Sequence, residues 1–582
     1  MSAKPLNQKG NVMLMLVVLI LLVTILAASA YSLSSNQRQL FQRSTDYENA
    51  FHHAEQVFNE YLWIFNRDPS VLNNASLYQA EDYPAISPVK KVYTRLGTDP
   101  KFYLVSVEIP YLAGVSPPAL ATNCATVKVS AWPPDNPSVK RTIVAELVKR
   151  TFTTNTINCN SEKNKSNVPV RWDSGESFYG NFHTNSTLYL NGGPVFYGPV
   201  TYADNQGIDP WSKATDSSIF RKGAYHTEKI EWPQSNGKLL EEARIDPRSF
   251  YSKGRACIML RGDEFDIRCW DEDAGTWRYN GYSYVYEPPN SSYLTNSYKD
   301  KGTFQVQKPP PNVFSSFKDM QANLPHLSLP DNRLIYIDGN TPASAYTNYH
   351  QKFAPDLGNV FVSGNVKGGL TIVASNDIFI TGYDPTNWQN PWMNGDVPYF
   401  KSFEATGGIK YADTSYSLKP SAANWNFTEV SGSGKDLDVI GLIAQHDMYI
   451  LHKSWPAQQE KLSGAALTCD IYGWGMKDLS GGALNDASPR DIEIQGNLLC
   501  VEGSFGFEKY SAILNYKGNF TLFGSLSQNS TGNLGDDNTI EHGYERRYIQ
   551  DPRMKTMAPP HFLDPANSAW QVTNWAETDQ HL

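Results

Sequence analysis

The sequence predicts an α+β N-terminal module followed by a mainly β body of β-helix or solenoid type, with a β-sandwich as the alternative. Three observations carry this. A charge-free apolar run at 11–37 continues as one amphipathic helix to residue 66. Four strand-like segments follow within 90–155. Beyond residue 169, short apolar strands recur between Gly, Asn and Asp turns. The 582 residues allow about four domains at ~150 residues each. Fifty Lys and Arg against 59 Asp and Glu leave a net charge of −9, which excludes the basic footprint of a nucleic-acid binder. Aromatics at 13% exclude a disordered chain.

The helix comes first. Val12 to Ala28 is apolar apart from Thr24, and roughly 20 such residues cross a bilayer. Lys4 and Lys9 precede it, so the N-terminus stays cytoplasmic and the rest is exported. The segment could be cleaved at Ala28-Ser29-Ala30 as a secretory signal, or kept as an anchor. From Asn36 to Phe65 there is no Pro or Gly, and Phe51, Ala54, Phe58, Tyr61, Leu62 and Phe65 form one stripe. Asp68-Pro69 ends the helix. A bare anchor does not need this second half; a helix that docks on a globular head does.

Candidate strands of that head are 91–96, 103–109, 125–132 and 141–151, with Pro133-Pro134-Asp135-Asn136-Pro137 as a turn between the last two.

Lys9-Gly10 followed at once by the apolar run resembles a type IV prepilin signal. That resemblance implies cleavage by a prepilin peptidase between Gly10 and Asn11, and a helix that serves first in the inner membrane and then in a filament core. Asn49-Ala50-Phe51-His52-His53-Ala54-Glu55 is similar to the corresponding region of X-type minor pilins. Most major pilins carry Glu at mature position five; here that position is Met15. A buried carboxylate in an apolar filament core is costly unless paired. Its absence resembles the large tip pseudopilins of type II secretion systems and implies a minor or tip subunit. The expected organisation is a leader at 1–10, a transmembrane and filament-core helix at 11–66, a pilin-like head at 67–155 and a linker at 156–168. A first β-rich part at 169–330, a β-helix-like domain at 331–575 and a tail at 576–582 follow.

In the body, the segments 178–185, 371–382, 441–450, 521–528 and 543–553 with Pro559-Pro560 resemble a domain found behind pilin-like N-termini. No activity is assigned to that domain, so the likeness implies placement and not chemistry.

Motifs for chemistry are scarce. No C-x-x-C, G-x-S-x-G, H-E-x-x-H or P-loop occurs. No metal site and no cofactor are expected. The six cysteines, in an exported chain, suggest the disulfides Cys124–Cys159, Cys257–Cys269 and Cys469–Cys500, or else free buried thiols. Arg261-Gly262-Asp263 matches an integrin-type tripeptide but reads as a hairpin turn between Cys257 and Cys269. His446-Asp447 reads as a turn after a β segment, and Gly535-Asp536-Asp537-Asn538 as an acidic turn that could also chelate calcium. The acidic run Asp263, Glu264, Asp266, Asp271, Glu272 and Asp273 could serve a glycan-cleaving enzyme, as could Trp270 with Trp277 or Trp388 with Trp392 for stacking, but a solvated loop and core packing explain them equally.

The expected function is therefore non-enzymatic: a minor pilin or pseudopilin-like subunit anchored in the inner membrane by one helix, then placed in a cell-surface or periplasmic filament. Its partners would be other pilin or pseudopilin subunits, the prepilin peptidase, the inner membrane, and a surface glycan, host or abiotic ligand of the body. The alternatives are a membrane-anchored extracellular glycan-binding or glycan-cleaving protein and a passive envelope scaffold.

Overall fold

In the computed structural model the chain opens with α1, Gln8–Arg67, a single helix of 60 residues. At 1.5 Å per residue it is about 90 Å long. The structure describes residues 8–67, 79–80, 89–93, 102–109, 123–209, 216–287, 303–306, 312–314, 317–342, 346, 352, 354–382, 384–387, 407–418, 428–432, 438–451, 488–508, 516–535, 543–555, 557–566 and 568–578. Two units are present. One comprises Met1–Tyr111, Cys124–Lys149 and Ala569–Leu582; the other comprises Leu112–Asn123 and Arg150–Ser568.

In the first unit, α1 packs its C-terminal half on an antiparallel sheet. The strands are β1 (Gln79–Ala80), β2 (Val89–Tyr93), β3 (Tyr103–Ile109), β4 (Cys124–Ala131) and β5 (Arg141–Lys149), paired in that order. Period-two alternation puts Val105, Val107, Ala125, Val127, Val129, Ile143, Ala145 and Leu147 on the buried side. Ala50, Ala54, Val57, Phe58, Tyr61 and Phe65 form the buried stripe of α1. The expected stripe is thus rotated slightly: Ala50 and Val57 join it, while Phe51 and Leu62 lie at its margins. Asn136 Nδ2 in the β4–β5 turn donates to Asp46 Oδ2 at 2.8 Å and fixes the helix over the sheet.

The sixth strand of this sheet comes from the far end of the chain. Trp570–Thr578 pairs antiparallel with β5, from Trp570 opposite Lys149 to Thr578 opposite Thr142, with an irregularity between Val572 and Asn574. Arg141 Nε meets Glu577 Oε1 at 2.8 Å, and the Trp570 N–H donates to Asn66 Oδ1 at 2.6 Å. Residues expected at the end of the β-helix-like domain and in the tail therefore belong to the head sheet. The whole stretch 150–568 is inserted between two of its neighbouring strands.

The second unit is β-rich with mixed pairing. Its first ladder is parallel throughout. In spatial order its strands are Phe250–Lys253, Leu334–Asp338, Gly369–Ala374, Val439–Ala444, the end of Ile492–Cys500, the end of Tyr516–Gln528, Ile157–Cys159, Phe182–Thr184, Val200–Tyr202 and Ala224–His226. One row of side chains runs its length into the core: Phe250, Ile335, Ile372, Leu442, Leu498, Leu526, Ile157, Phe182, Val200 and Ala224. A second parallel ladder joins Ala256–Gly262, Val360–Val366, Ile378–Ile380, Met448–Ile450 and Phe505–Phe507. A third runs from Val360–Val366 through Gly407–Tyr411, Ile492–Cys500, Tyr516–Gln528 and Gly543–Ile549 to Ser177–Tyr179 and Val195–Phe196. Its core row carries stacked rings, with Tyr548, Phe178 and Phe196 at centroid spacings of 5.0 and 4.5 Å. Gly524 (φ +144) sits so close to its neighbour that an added Cβ would lie 2.0 Å from the Gly496 carbonyl. Only glycine fits there.

An antiparallel meander begins at Ala256–Gly262 and continues through Glu264–Asp271, Thr276–Tyr279, Tyr282–Glu287, Thr303–Val306 and Asn312–Phe314. The ladder order shows that the chain enters in the middle, at Ile157–Cys159, and winds to Ala224–His226. It then returns along 227–249 to the opposite end and winds back to the entry point. Ile157 and Cys159 are fully buried, so the expected linker at 156–168 contains a core strand. Its Asn, Ser and Thr residues are the polar turns that flank that strand.

The return segment packs along the outside of the first ladder. Asn185 exchanges hydrogen bonds with the Ile230 backbone at 2.6 and 2.8 Å. Trp232 lies 4.7 Å from Phe152, and its Nε1 donates to the Cys500 carbonyl at 3.4 Å. Asn236 Nδ2 donates to the Ala374 carbonyl at 3.0 Å, and Asn236 Oδ1 accepts from Tyr336 Oη at 2.9 Å. Helix α2 (Gly237–Ile245) buries Leu239 and Ala243 and ends with Arg244 on Asp338 at 2.7 Å.

Candidate functional site

Two surfaces stand out, one in each unit. The first is the N-terminal half of α1. Val12 to Leu26 are exposed along every face, as are Tyr31, Leu33, Leu40 and Phe41. A window within Val12–Arg67 reaches a mean hydropathy of 3.0, long and apolar enough to cross a membrane. Thr24, the one polar side chain of this stretch, satisfies its hydroxyl by donating to the Ile20 carbonyl at 2.8 Å. A helix that is apolar all round and unburied is built for an apolar surrounding, lipid or neighbouring helices. The long N-terminal helix therefore fits a pilin-like N-terminus.

Lys9, Gly10 and Asn11 all lie within α1. Met15, the expected mature position five, is 78% exposed on it.

The second surface is a buried polar network on the outer side of the second ladder. Asn376 Nδ2 donates to Asn359 Oδ1 at 2.6 Å, and Asn359 Oδ1 also accepts the Asp377 N–H at 3.2 Å. Asp377 Oδ1 accepts the Asp447 N–H at 2.8 Å, and Asp447 Oδ1 accepts the Ser504 N–H at 2.8 Å. Each side chain thus closes the turn of the next strand in the stack. Asp377 Oδ2 accepts from Tyr346 Oη at 2.7 Å. Asp447 Oδ2 accepts from Tyr449 Oη at 3.0 Å and pairs with Lys165. Burial, then the neighbouring Asp447 charge, push the Asp377 carboxyl up to about 7. At the end of this network Lys352 Nζ lies 2.5 Å from each carboxylate oxygen of Glu508. His446-Asp447 has the turn position expected of it. The distant Lys352 and Glu508 carried no sequence signal: neither lies in a motif, and 156 residues separate them.

The remaining candidates are tied into the fold. The Arg261-Gly262-Asp263 tripeptide is the hairpin turn, with Gly262 at φ +80. Arg261 is held by Asp266 and by Asp384 at 2.9 Å. Asp266 is buried and also accepts from Asn280 Nδ2 at 2.8 Å and lies 2.6 Å from His326 Nδ1. Asp271 pairs with Arg278 at 2.6 Å and Glu272 with Lys253 at 3.1 Å, while Asp263 and Glu264 are exposed. Trp270 and Trp277 pack edge to face at 5.3 Å, with Arg255 and Arg268 over the Trp277 ring. Trp388, Trp392 and Asp536-Asp537-Asn538 lie outside the described residues. Among the described residues no group of three or more His, Cys, Asp or Glu could hold a metal ion.

The cysteine expectation needs correction. Cys124, Cys159, Cys257, Cys269 and Cys500 are free thiols, and Cys469 lies outside the described residues. The hairpin pair fails on register. Cys257 stands opposite Arg268 and Cys269 opposite Ala256, so the two sulfurs project to opposite faces. Cys269 joins the main core, and burial raises both thiols above their ordinary range.

No family model matches the chain, and no curated protein matches it. Among solved structures, one similar chain is the competence-associated pilin ComZ from Thermus thermophilus. It is 10% identical, with 92% of this chain and 98% of that chain covered, at a TM-score of 0.25. At that score the likeness carries no argument, and the functional reading rests on the helix, the head and the ladders.

Proposed function

We propose that this chain is a minor or tip subunit of a type IV pilus or type II secretion-like filament. It is cut between Gly10 and Asn11 by a prepilin peptidase and held in the inner membrane by α1 until assembly. The observation that carries this reading is the division of α1 within one continuous helix. From Val12 to Leu26 it is apolar and exposed, while its second half is amphipathic and buries the stripe from Ala50 to Phe65 on the head sheet. The first half suits lipid and then the helices of neighbouring subunits; the second fixes the head to it. Met15 supports a position without a conventional subunit ahead of it, because no carboxylate waits for a neighbour's N-terminal amine.

For the body we propose a β-helix. Its support is the set of three parallel ladders that share strands and enclose one core. The role assigned to it is adhesion or filament initiation, with a surface glycan, host or abiotic material as ligand. We assign it no catalysis: Asp377 and Asp447 accept the backbone N–H of the next turn, and Asp266 pairs with Arg261.

The test is the mature N-terminus, read by mass spectrometry from cells with and without the prepilin peptidase. A start at Asn11 that disappears without the peptidase is the expected result. A start near Tyr31, or an intact Met1 in both cells, would refute the filament reading.

A further inference from the structure

The sixth strand of the head sheet, Trp570–Thr578, pairs with β5 on one side; among the described residues nothing pairs with its other side. Every residue from Gln571 to Glu577 is exposed. Val572 and Trp575 stand on the α1 side of the sheet, opposite Leu147 and Ala145, at 41% and 43% exposure. The Trp575 ring meets Phe51 of α1 edge to face at 5.9 Å. Past the irregularity after Val572, Asn574 to Thr578 keep unbroken register with β5, so an edge of five residues is open. An open edge is a template for another strand, and edges that must stay single are blunted by Pro, Lys or very short strands. This strand has neither Pro nor Lys, and its one charge, Glu577, is tied to Arg141 at 2.8 Å. The opposite edge of the same sheet is β1, two residues long.

The direction of the strand decides what can cover it. Trp570 is bound at Asn66 and Trp575 lies at Phe51, so the strand runs back toward the apolar end of α1. Two copies of it paired antiparallel through a two-fold axis would point their α1 helices in opposite directions, which anchoring in one membrane forbids. A head-to-tail row of copies would offer β1 instead, whose two residues cover less than half of the open five. A different subunit with a longer first strand meets neither obstacle. Neighbouring strands of this sheet are antiparallel at every step, so its first and last strands run in opposite directions. A neighbouring head of this topology, with its helix parallel to α1, therefore brings its first strand antiparallel to the open edge.

Charge sets the chemistry of that strand. On the face away from α1, Glu146 stands opposite Asn574, exposed, and among the described residues no cation pairs with it. A strand added beyond Asn574 lies two strand spacings from β5, about 10 Å, which an extended Lys or Arg and a Glu side chain span together. We propose that the open edge of Trp570–Thr578 takes the first strand of a different pilin-type subunit as the seventh strand of the sheet. The added strand runs antiparallel, lays an apolar side chain beside Val572 and Trp575, and turns a Lys or Arg toward Glu146. Main-chain hydrogen bonds supply the binding, and the side chains on the two faces select the partner. The proposal rests on the filament reading and names one lateral contact within it.

The test uses the full chain in its own cells. A benzophenone side chain is introduced at Gln571, at Ala576 or, on the apolar half of α1, at Leu19; all three positions are exposed, so the fold does not depend on them. After illumination the captured peptide is identified by mass spectrometry. Positions 571 and 576 are both expected to capture one strand of one other chain that carries its own prepilin-type leader. The residue captured from 576 should precede the one captured from 571 in the partner, as antiparallel pairing requires. Any other result at these two positions would overturn the proposal: capture of a second copy of this chain, residues captured in the same order as in Trp570–Thr578, or no capture. If Leu19 still captures a chain with a prepilin-type leader, the filament reading stands and the edge contact alone fails. If none of the three positions captures such a chain, both fail.

Discussion

Leu526 stands directly beside Ile157 in the first ladder, on neighbouring parallel strands, although nearly the whole body lies between them in sequence. One residue on, Asn158 Nδ2 donates to Ser527 Oγ at 3.0 Å across 369 residues of chain. This is the seam at which the last-wound strand of the first ladder meets the first-wound one. Every other step of that ladder joins strands wound in the same passage. Contacts of such sequence separation are the costliest to close and are repaid only when the core row is continuous. Leu526→Ala is expected to remove about 2–5 kcal/mol. The measurement is the denaturant midpoint of the full chain, with amide exchange to locate the loss. Faster exchange at 157–159 and 525–528 should precede any change in β3 to β5. Uniform loss across the body would mean that the seam is no weaker than its neighbours.

The return segment makes a second expectation. Trp232 covers the outside of the ladder beside the seam and packs on Phe152 at 4.7 Å. Trp232→Ala removes a buried aromatic side chain, for about 3–5 kcal/mol, and should release 227–249 from protection in amide exchange. Trp232→Phe keeps most of the apolar contact and loses only the bond to the Cys500 carbonyl, so it should cost about 1 kcal/mol. Equal losses for the two variants would show that the hydrogen bond dominates.

Much of this architecture was legible in the residues, and the failures have a common cause. The helix and strands β3 to β5 were readable because their signals are local: an apolar stripe at helical spacing, alternation, and a Pro-Pro-Asp-Asn-Pro turn. Residues 157–159 read as linker because three residues among Asn, Ser and Thr carry no strand signal of their own. They are a strand because Leu526 and Phe182 flank Ile157. Likewise Trp570 and Val572 are spaced as on one face of a strand, but the step to Trp575 breaks the alternation, and nothing local says that the partner is β5 rather than the body. The cysteine pair failed by one residue of register, which spacing alone cannot resolve. The Lys352–Glu508 meeting is a consequence of ladder order and has no local trace.

Burial of Glu162 predicts a pH dependence of stability. Its Oε2 accepts from Trp172 Nε1 at 3.1 Å and Thr531 Oγ1 at 3.0 Å, and burial pushes the carboxyl from 4.5 up to about 7. A carboxyl raised in the folded state is neutral there while the unfolded chain ionises. Its contribution is thus full below pH 4.5 and is lost as pH rises through 7. At about 1.4 kcal/mol per pH unit, the swing attributable to Glu162 is about 3 kcal/mol. Asp377, also raised to about 7, acts in the same direction. The expected result is a denaturant midpoint that falls between pH 4.5 and 7 in the wild type and falls less in Glu162→Gln, which mimics the neutral acid. An unchanged slope in that variant would show Glu162 to be ionised in the fold.

The apolar half of α1 gives the sharpest separation of roles. Leu19 is exposed in the middle of the charge-free run, far along the helix from the stripe that packs on the head sheet. An Arg at the centre of a membrane-spanning helix costs roughly 2.5–3.5 kcal/mol for insertion. Leu19→Arg should therefore shift the protein from the membrane to the soluble fraction after alkaline extraction. The head should keep the wild-type denaturant midpoint, because Leu19 is exposed and lies outside the stripe that packs on the head sheet. Phe58→Ala should do the reverse: membrane retention unchanged, and about 3–5 kcal/mol lost from the head, where Phe58 is buried. If Leu19→Arg lowered head stability as much as Phe58→Ala, the two halves of α1 would not be the independent anchor and dock that their burial indicates.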